Sequence, residues 1–378
     1  MFICDAGTLV NAGRSEGDFP VQIMKARVFF LKWRIFRRDG IFKMRRMLFS
    51  FRKPVQVEFG RRFLFFFGLL SNLHVSAEAN LFRHFILSFW RFFKDQSMQF
   101  FDTHAHIGLI YDDAISQFKV IQQAKLAGVT RIISINNGLL DFKKQYAALK
   151  TTKGIYHAVG VSPSEVMTPG RDWFNVIQES VKLPNVVAIG ETGLDYSLKK
   201  DDKDRFLRNE SGNRIMKFGD KKNQIELFIA QLELAQKHSL PVIIHNREAG
   251  QDIFDILKTR IPEKGAIFHC YSEDAAFAKK CLSAGMNVYF SFAGNLTYRN
   301  ARNLHETVVA LPKDRILIET ESPFMAPAEY QKSGKKVRSM PAYLVSTAKF
   351  LAEMLDEDLE KLSEQLWSNS CRAFNLPE

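Results

Sequence analysis

Cysteine is scarce in this chain of 378 residues, and its four copies, Cys4, Cys270, Cys281 and Cys371, stand at unrelated spacings. They make neither a CxxC pair nor a disulfide framework. That excludes a stapled secreted scaffold and suits a reducing, cytoplasmic compartment. Long apolar runs are missing too. A transmembrane helix takes roughly 18–20 apolar residues, and Phe63–Leu70 is far shorter, so no stable membrane association is expected. No internal repeat is present. Acids are lacking in only one region: residues 1–97 hold 17 Lys and Arg against 7 Asp and Glu, and the remainder holds 36 against 34. The net charge of +12 therefore belongs to the first quarter and says little about what the rest binds.

That first quarter also holds 18 of the 34 phenylalanines, with neither a sustained helical period nor strand alternation. Residues 61–79 imitate an export signal, with Arg61-Arg62, an apolar run and Ala77-Glu78-Ala79, but they lie far from Met1 and are interrupted by Asn72 and His74. A basic, aromatic segment of this kind also suits a membrane surface. The preferred reading is a disordered extension or a mis-assigned start ahead of a domain that begins at Met98 and runs to residue 378.

From Met98 onward, strand-like and helix-like runs alternate. Strands are predicted at Phe100–Ile107, Arg131–Asn136, Gly154–Val161, Val186–Asp195, Pro241–Arg247, Gly265–Tyr271, Asn287–Phe292 and Ile316–Glu321. Between them lie amphipathic stretches such as Ala114–Leu126, Leu140–Lys150, Gln224–His238 and Gly250–Arg260, with Asp274–Ala284 and Asn300–Leu311 later and Tyr343–Phe374 last. Ser197–Asp220 reads as a charged loop. Eight β-α steps point to an α/β fold, a (β/α)8 TIM barrel, with its chemistry at the carboxyl ends of the strands.

Those ends carry ligand chemistry. Strand one ends in His104-x-His106, and period 2 places both imidazoles on one face, about 7 Å apart along the chain. Later ends carry Glu191, His245, His269 and the run Glu319-Thr320-Glu321. Histidines with carboxylates suit one or two divalent ions, Zn²⁺, Mn²⁺ or Mg²⁺. Glu191 is placed to bridge two ions, and Glu321 to take a proton from an activated water.

At these residues the sequence resembles the TatD-related metal-dependent hydrolases of the amidohydrolase superfamily. The resemblance spans residues 99–376 and rests on Phe101-Asp102-Thr103-His104-Ala105-His106, Gly190-Glu191-Thr192-Gly193-Leu194-Asp195, Gln231-Leu232-x-Leu234-Ala235, Ile244-His245-x-Arg247, Phe268-His269-Cys270-Tyr271 and Ile318-Glu319-Thr320-Glu321-Ser322-Pro323. It implies a TIM barrel with a one- or two-metal phosphodiesterase site and deoxyribonuclease action on DNA. The implied ligands are His104, His106, Glu191, His245 and His269, with Glu321 where the family usually has aspartate. The pattern departs from the family twice more. Ser162 replaces a substrate-side histidine in Gly160-Val161-Ser162-Pro163, and Ser339-Met340-Pro341 stands where Asn-Glu-Pro is usual.

Outside the ligand set, Arg247 is expected to clamp a phosphate. Tyr271, and less strongly Tyr298, are candidates for stacking on a base or sugar. Asp195 is expected to orient a neighbour or cap a loop, and Cys270, on alternate parity to His269, to point away from the site into the core. Lys332, Lys335, Lys336 and Arg338 make a basic loop beside the site. Two alternatives keep the barrel: hydrolysis of a small amide, lactone or phosphoester, and nucleic-acid binding without turnover. Nothing in the pattern specifies a number of subunits.

Overall fold

The computed structural model describes residues 29–38, 41–50, 98–136, 138–166, 169–197, 206–208, 214–216, 221–331 and 337–378. In the basic quarter, β1 (Phe29–Arg38) pairs antiparallel with β2 (Ile41–Ser50), Phe29 opposite Ser50 and Arg38 opposite Ile41. This ladder forms although no sustained strand alternation runs through the sequence there. Phe, Ile and Trp favour extended backbone whether or not they alternate with polar residues. The expectations about the remainder of residues 1–97 fall outside the described residues. The ribbon and the barrel belong to separate compact units.

The second unit is built on eight strands: β3 (Phe100–Ala105), β4 (Val129–Ser134), β5 (Ile155–Val159), β6 (Val186–Asp195), β9 (Val242–Arg247), β10 (Ala266–Phe268), β11 (Val288–Phe292) and β12 (Ile316–Ile318). Each falls within or beside one of the predicted runs. All neighbours pair parallel, in the order β12-β11-β10-β9-β6-β5-β4-β3. The ring closes just beyond β12. There Glu321 N–H donates to His104 O, His106 N–H donates to Ser322 O, and Ala105 bridges Ser322. A parallel sheet needs a crossover after every strand, and the amphipathic stretches supply it.

Helices cover Ala114–Leu126, Leu139–Leu149, Lys221–Lys237, Gly250–Arg260, Ala275–Ser283 and Arg302–Ala310, close to the predicted spans. Trp173–Ser180 is an additional short helix with only Ile177 and Ser180 buried, too little periodicity to read from sequence. The terminal helical stretch divides into Leu344–Met354 and Leu359–Ala373, the second capped by Asp358, whose carboxylate accepts from Glu360 and Lys361 N–H. The loop expected at Ser197–Asp220 contains a small antiparallel hairpin, β7 (Phe206–Arg208) with β8 (Arg214–Met216). Among the described residues no helix is long and apolar enough to cross a membrane.

Strand alternation separates two apolar layers. Phe101, Ile133, Val187, Ile243, Ile267, Tyr289 and Leu317 form the inner cluster. Phe100, Ile132, Val186, Val242, Ile244, Phe268, Phe290 and Ile318 pack outward with the helices. Phe101 meets Trp367 and Phe374 of the last helix and the residue after it, which cover the amino-terminal end of the barrel. The carboxyl ends carry the polar residues.

Candidate metal centre

Five strand ends bring the ligands together, and two irregularities aim them. Along β3, Phe101 lies in the inner cluster but Ala105, of the same parity, lies in the outer one. A register shift between Asp102 and Ala105 resets the phase and turns His104 and His106 inward. Along β6, the register shifts between Ile189 and Thr192. Gly193 there has φ +133°, and a Cβ on it would fall 2.1 Å from His245 O, so only glycine allows β6 to lie this close to β9.

The helix Lys221–Lys237 pins both sides of this turn. Gln231 accepts from Val161 N–H (2.8 Å) and donates to Val161 O (2.9 Å) and Thr192 Oγ1 (2.6 Å). One turn pair earlier, Gln224 accepts from Asp195 N–H and donates to Asp195 O. The motif glutamine of the sequence reading is therefore a structural clamp behind Glu191.

Glu191 stands at the centre with its two oxygens divided. Oε1 lies 2.9 Å from His245 Nδ1 and 3.5 Å from His269 Nε2. Oε2 lies 3.5 Å from His104 Nε2 and 3.8 Å from His106 Nε2. Glu321 Oε2 completes the second group, 3.2 Å from His104 Nε2 and 3.8 Å from His106 Nε2. Ligand atoms thus gather in three overlapping groups: His104, His106 and Glu191; Glu191, His245 and His269; and His104, His269, Glu319 and Glu321. The rings of His104 and His269 stack at 4.0 Å.

These donors fit divalent cations. His104 and Glu191 are buried, and Glu319 Oε2 and Glu321 Oε2 find no hydrogen-bond donor among the described residues. Buried carboxylate oxygens without donors are costly unless a cation faces them. The electrostatics agree. Burial opposes ionisation of Glu191, but His269, His104 and His245 outweigh it and hold the carboxyl well below its usual range. Burial likewise opposes charge on His245, yet Asp195 and Glu191 lift it to about 9. Burial next to His104 pushes His106 down to about 3.

The six predicted ligands, His104, His106, Glu191, His245, His269 and Glu321, therefore converge. Glu321 reaches the cluster from a left-handed backbone, φ 52°, at the point where the barrel closes. Asp195 behaves as expected, 3.1 Å from His245 Nε2 and accepting from Ser197 N–H and Oγ. Arg247, the last residue of β9, is exposed and has no side-chain hydrogen bond or ion pair among the described residues. Ser162 lies just past β5, its Oγ 2.7 Å from Ser164 Oγ.

Other expectations need correction. Tyr271 is only 2% exposed, packs against Phe268, Phe290 and Phe292, and donates its hydroxyl to Asp274 O, so it belongs to the core and is not open to a substrate. Cys270 is half-buried and is not part of the packed core. Its φ of 41° breaks the strand alternation, and its half-buried thiol is pushed well up by burial and by Glu321, Glu319 and Glu191. Tyr298 is tied through its hydroxyl to Ala326 O and Gln331. Of the basic loop, Lys332, Lys335 and Lys336 fall outside the described residues, and Arg338 donates to Ile110 O.

Two acids carry more than the sequence reading assigned them. Glu319, two residues past Leu317 and hence on the inner face, accepts from Cys270 N–H at 2.7 Å and lies 3.6 Å from His269 Nδ1. Asp102 ties β3 to the end of β12, accepting from Thr320 N–H (2.9 Å), Thr320 Oγ1 (2.5 Å) and His104 N–H (3.3 Å). Burial raises its carboxyl to about 8, against the pull of Thr320. Parity with Leu317 is the signal that marks Glu319; nothing local in the sequence marks Asp102.

Comparison with known proteins places the chain among metal-dependent hydrolases. The family described as TatD related DNase matches residues 101–375. An uncharacterized metal-dependent hydrolase of Bacillus subtilis, YabD, is 34% identical over 278 residues, covering 73% of this chain and 99% of that protein. The uncharacterized metal-dependent hydrolase TatD of Mycobacterium tuberculosis is 28% identical, covering 73% and 97%. Among solved structures, YjjV, a TatD homolog from Escherichia coli K12, superposes with a TM-score of 0.62 at 23% identity, over 74% of this chain and 98% of its own. A TatD family hydrolase of Entamoeba histolytica gives 0.57 at 22% identity, over 73% and 98%. With the family pattern running almost the length of the barrel, the chain belongs to the TatD-related family of metal-dependent hydrolases.

Proposed function

We propose that this barrel hydrolyses phosphodiester bonds of DNA with water activated at a two-ion centre. One observation carries the reading: Glu191 presents one oxygen to His104 and His106 and the other to His245 and His269, the arrangement of a carboxylate shared between two cations. His104, His106 and Glu321 would hold one ion, His245 and His269 the other. Bound ions lower the pKa of water toward neutrality and offset charge on both the attacking and the leaving oxygen.

The chain supplies the rest. Asp195 holds His245 by Nε2 and leaves Nδ1 facing Glu191. Glu321 is also the carboxylate that would take the proton of the attacking water. Arg247, exposed at the rim, offers a forked guanidinium to a phosphate oxygen pair. The closing contacts at Glu321 and Ser322 keep the two sides of the cluster in fixed register.

The test is metal add-back. Protein stripped by a chelator is given Mg²⁺, Mn²⁺ or Zn²⁺ and incubated with single-stranded and duplex DNA, beside Glu191→Gln. Metal-dependent cleavage that Glu191→Gln abolishes is the expected result. Folded, metal-loaded protein that cuts neither DNA would sink the reading and turn attention to small esters and amides, or to binding alone.

A further inference from the structure

We infer that Phe324 is the platform on which a nucleobase next to the scissile phosphate stacks, so that the preferred substrate is a strand whose bases are unpaired there. The inference rests on the phosphodiesterase reading above. The Phe324 ring stands edge-on to the imidazole of His106, with centroids 6.2 Å apart at 75°. His106 itself is 4% exposed, while Phe324 is 43% exposed. The aromatic face therefore opens to solvent beside the metal cluster.

Single exposed apolar side chains are ordinary; Phe324 differs in how firmly it is held and where. Its N–H donates to Glu321 O at 2.7 Å, so the turn that delivers the acid also delivers the ring. Ser339 N–H donates to Pro323 O at 2.9 Å, fastening the turn from the other side. The next residue, Met325, has φ 49°, and its carbonyl lies 2.1 Å from where a Cβ on Gly294 would stand, leaving that backbone no room to shift. Anchored in this way, the backbone that carries the ring loses little freedom when something stacks on the ring.

Neither of the other two aromatic candidates is as exposed as Phe324. Tyr271 is buried, and the Tyr298 hydroxyl is bonded on two sides. A nucleobase is joined to its phosphate through one sugar, so a phosphate at His106 puts the base within reach of the neighbouring ring. Stacking accepts any base, because every base has a π face. Bases inside a duplex are already stacked on one another, and freeing one costs energy. A platform of this kind therefore favours unpaired strands without selecting sequence.

The experiment compares wild type, Phe324→Ala and Phe324→Trp on two single strands of equal length, one of thymidines and one of abasic units, with metal content measured for each protein. Stacking is worth about ten-fold in affinity per base. Phe324→Ala is expected to lose about ten-fold in kcat/KM on the thymidine strand, mostly through KM, with little change on the abasic strand. Phe324→Trp retains the preference. Equal losses of Phe324→Ala on both strands, or no loss on either, would overturn the inference and leave the nuclease reading standing. A wild type that cuts neither strand overturns both.

Discussion

At the scale of single residues, the centre works by opposing burial with pairing. His245 titrates near 9 instead of 6.5 because Asp195 and Glu191 outweigh its burial. A histidine whose folded pKa is raised contributes stability that is complete below 6.5 and lost as pH rises through about 9. A metal takes the neutral ring, so below about 9 loading must expel that proton. We therefore expect metal affinity of the stripped protein to climb with pH and level off above about 9, with proton release shrinking over the same range. Calorimetry in buffers of different ionisation enthalpy measures the release directly. Asp195→Asn should move the break to lower pH and weaken metal binding by about 10–100-fold, as loss of an orienting partner does. An unchanged break would mean that Asp195 does not set the proton affinity of His245.

At the scale of elements, the helix Lys221–Lys237 decides where β6 bends. Gln231 serves both the N–H and the carbonyl of Val161 and reaches across to Thr192. Gln231→Leu keeps the volume but leaves those groups without partners in a fully buried position. Each such loss costs about 1–3 kcal/mol, so a urea melt should show destabilisation of at least that order, accompanied by weaker metal retention. A drop in stability with metal binding intact would show that β6 holds Glu191 without help from the helix. This role lay beyond sequence reading: Gln231 was visible as part of a motif, but a hydrogen bond spanning 70 residues is not a local property. The strands themselves were legible because each is a short apolar run ending in turn chemistry. The helix Trp173–Ser180 was not, since two buried residues make no period.

At the scale of the whole molecule, the barrel carries its own core. Met98 and Phe100 are already buried in the outer layer, and the last helix meets Phe101 across the barrel's amino-terminal end. A chain begun at Met98 should therefore fold cooperatively, bind metal, and melt within a few degrees of the full-length protein. Circular dichroism and metal analysis on both forms test this. A truncated chain that fails to fold would assign the first 97 residues a structural part in the barrel.

Residue chemistry and periodicity alone establish a great deal here. Eight apolar runs alternating with amphipathic ones admit a parallel barrel, and a parallel barrel has one end at which His104, His106, Glu191, His245, His269 and Glu321 all emerge. Period 2 also places His104 and His106, at the end of β3, on a common face. Tertiary structure decided which face. The register shift beside Asp102 turns His104 and His106 inward, although Phe101 points inward on the opposite parity. It likewise buried Tyr271 and turned Cys270 out of the alternation through a left-handed φ. The physical reason is common to all three. Alternation is a rule of regular strands, and strand ends at a barrel mouth are where contacts distant in sequence override it.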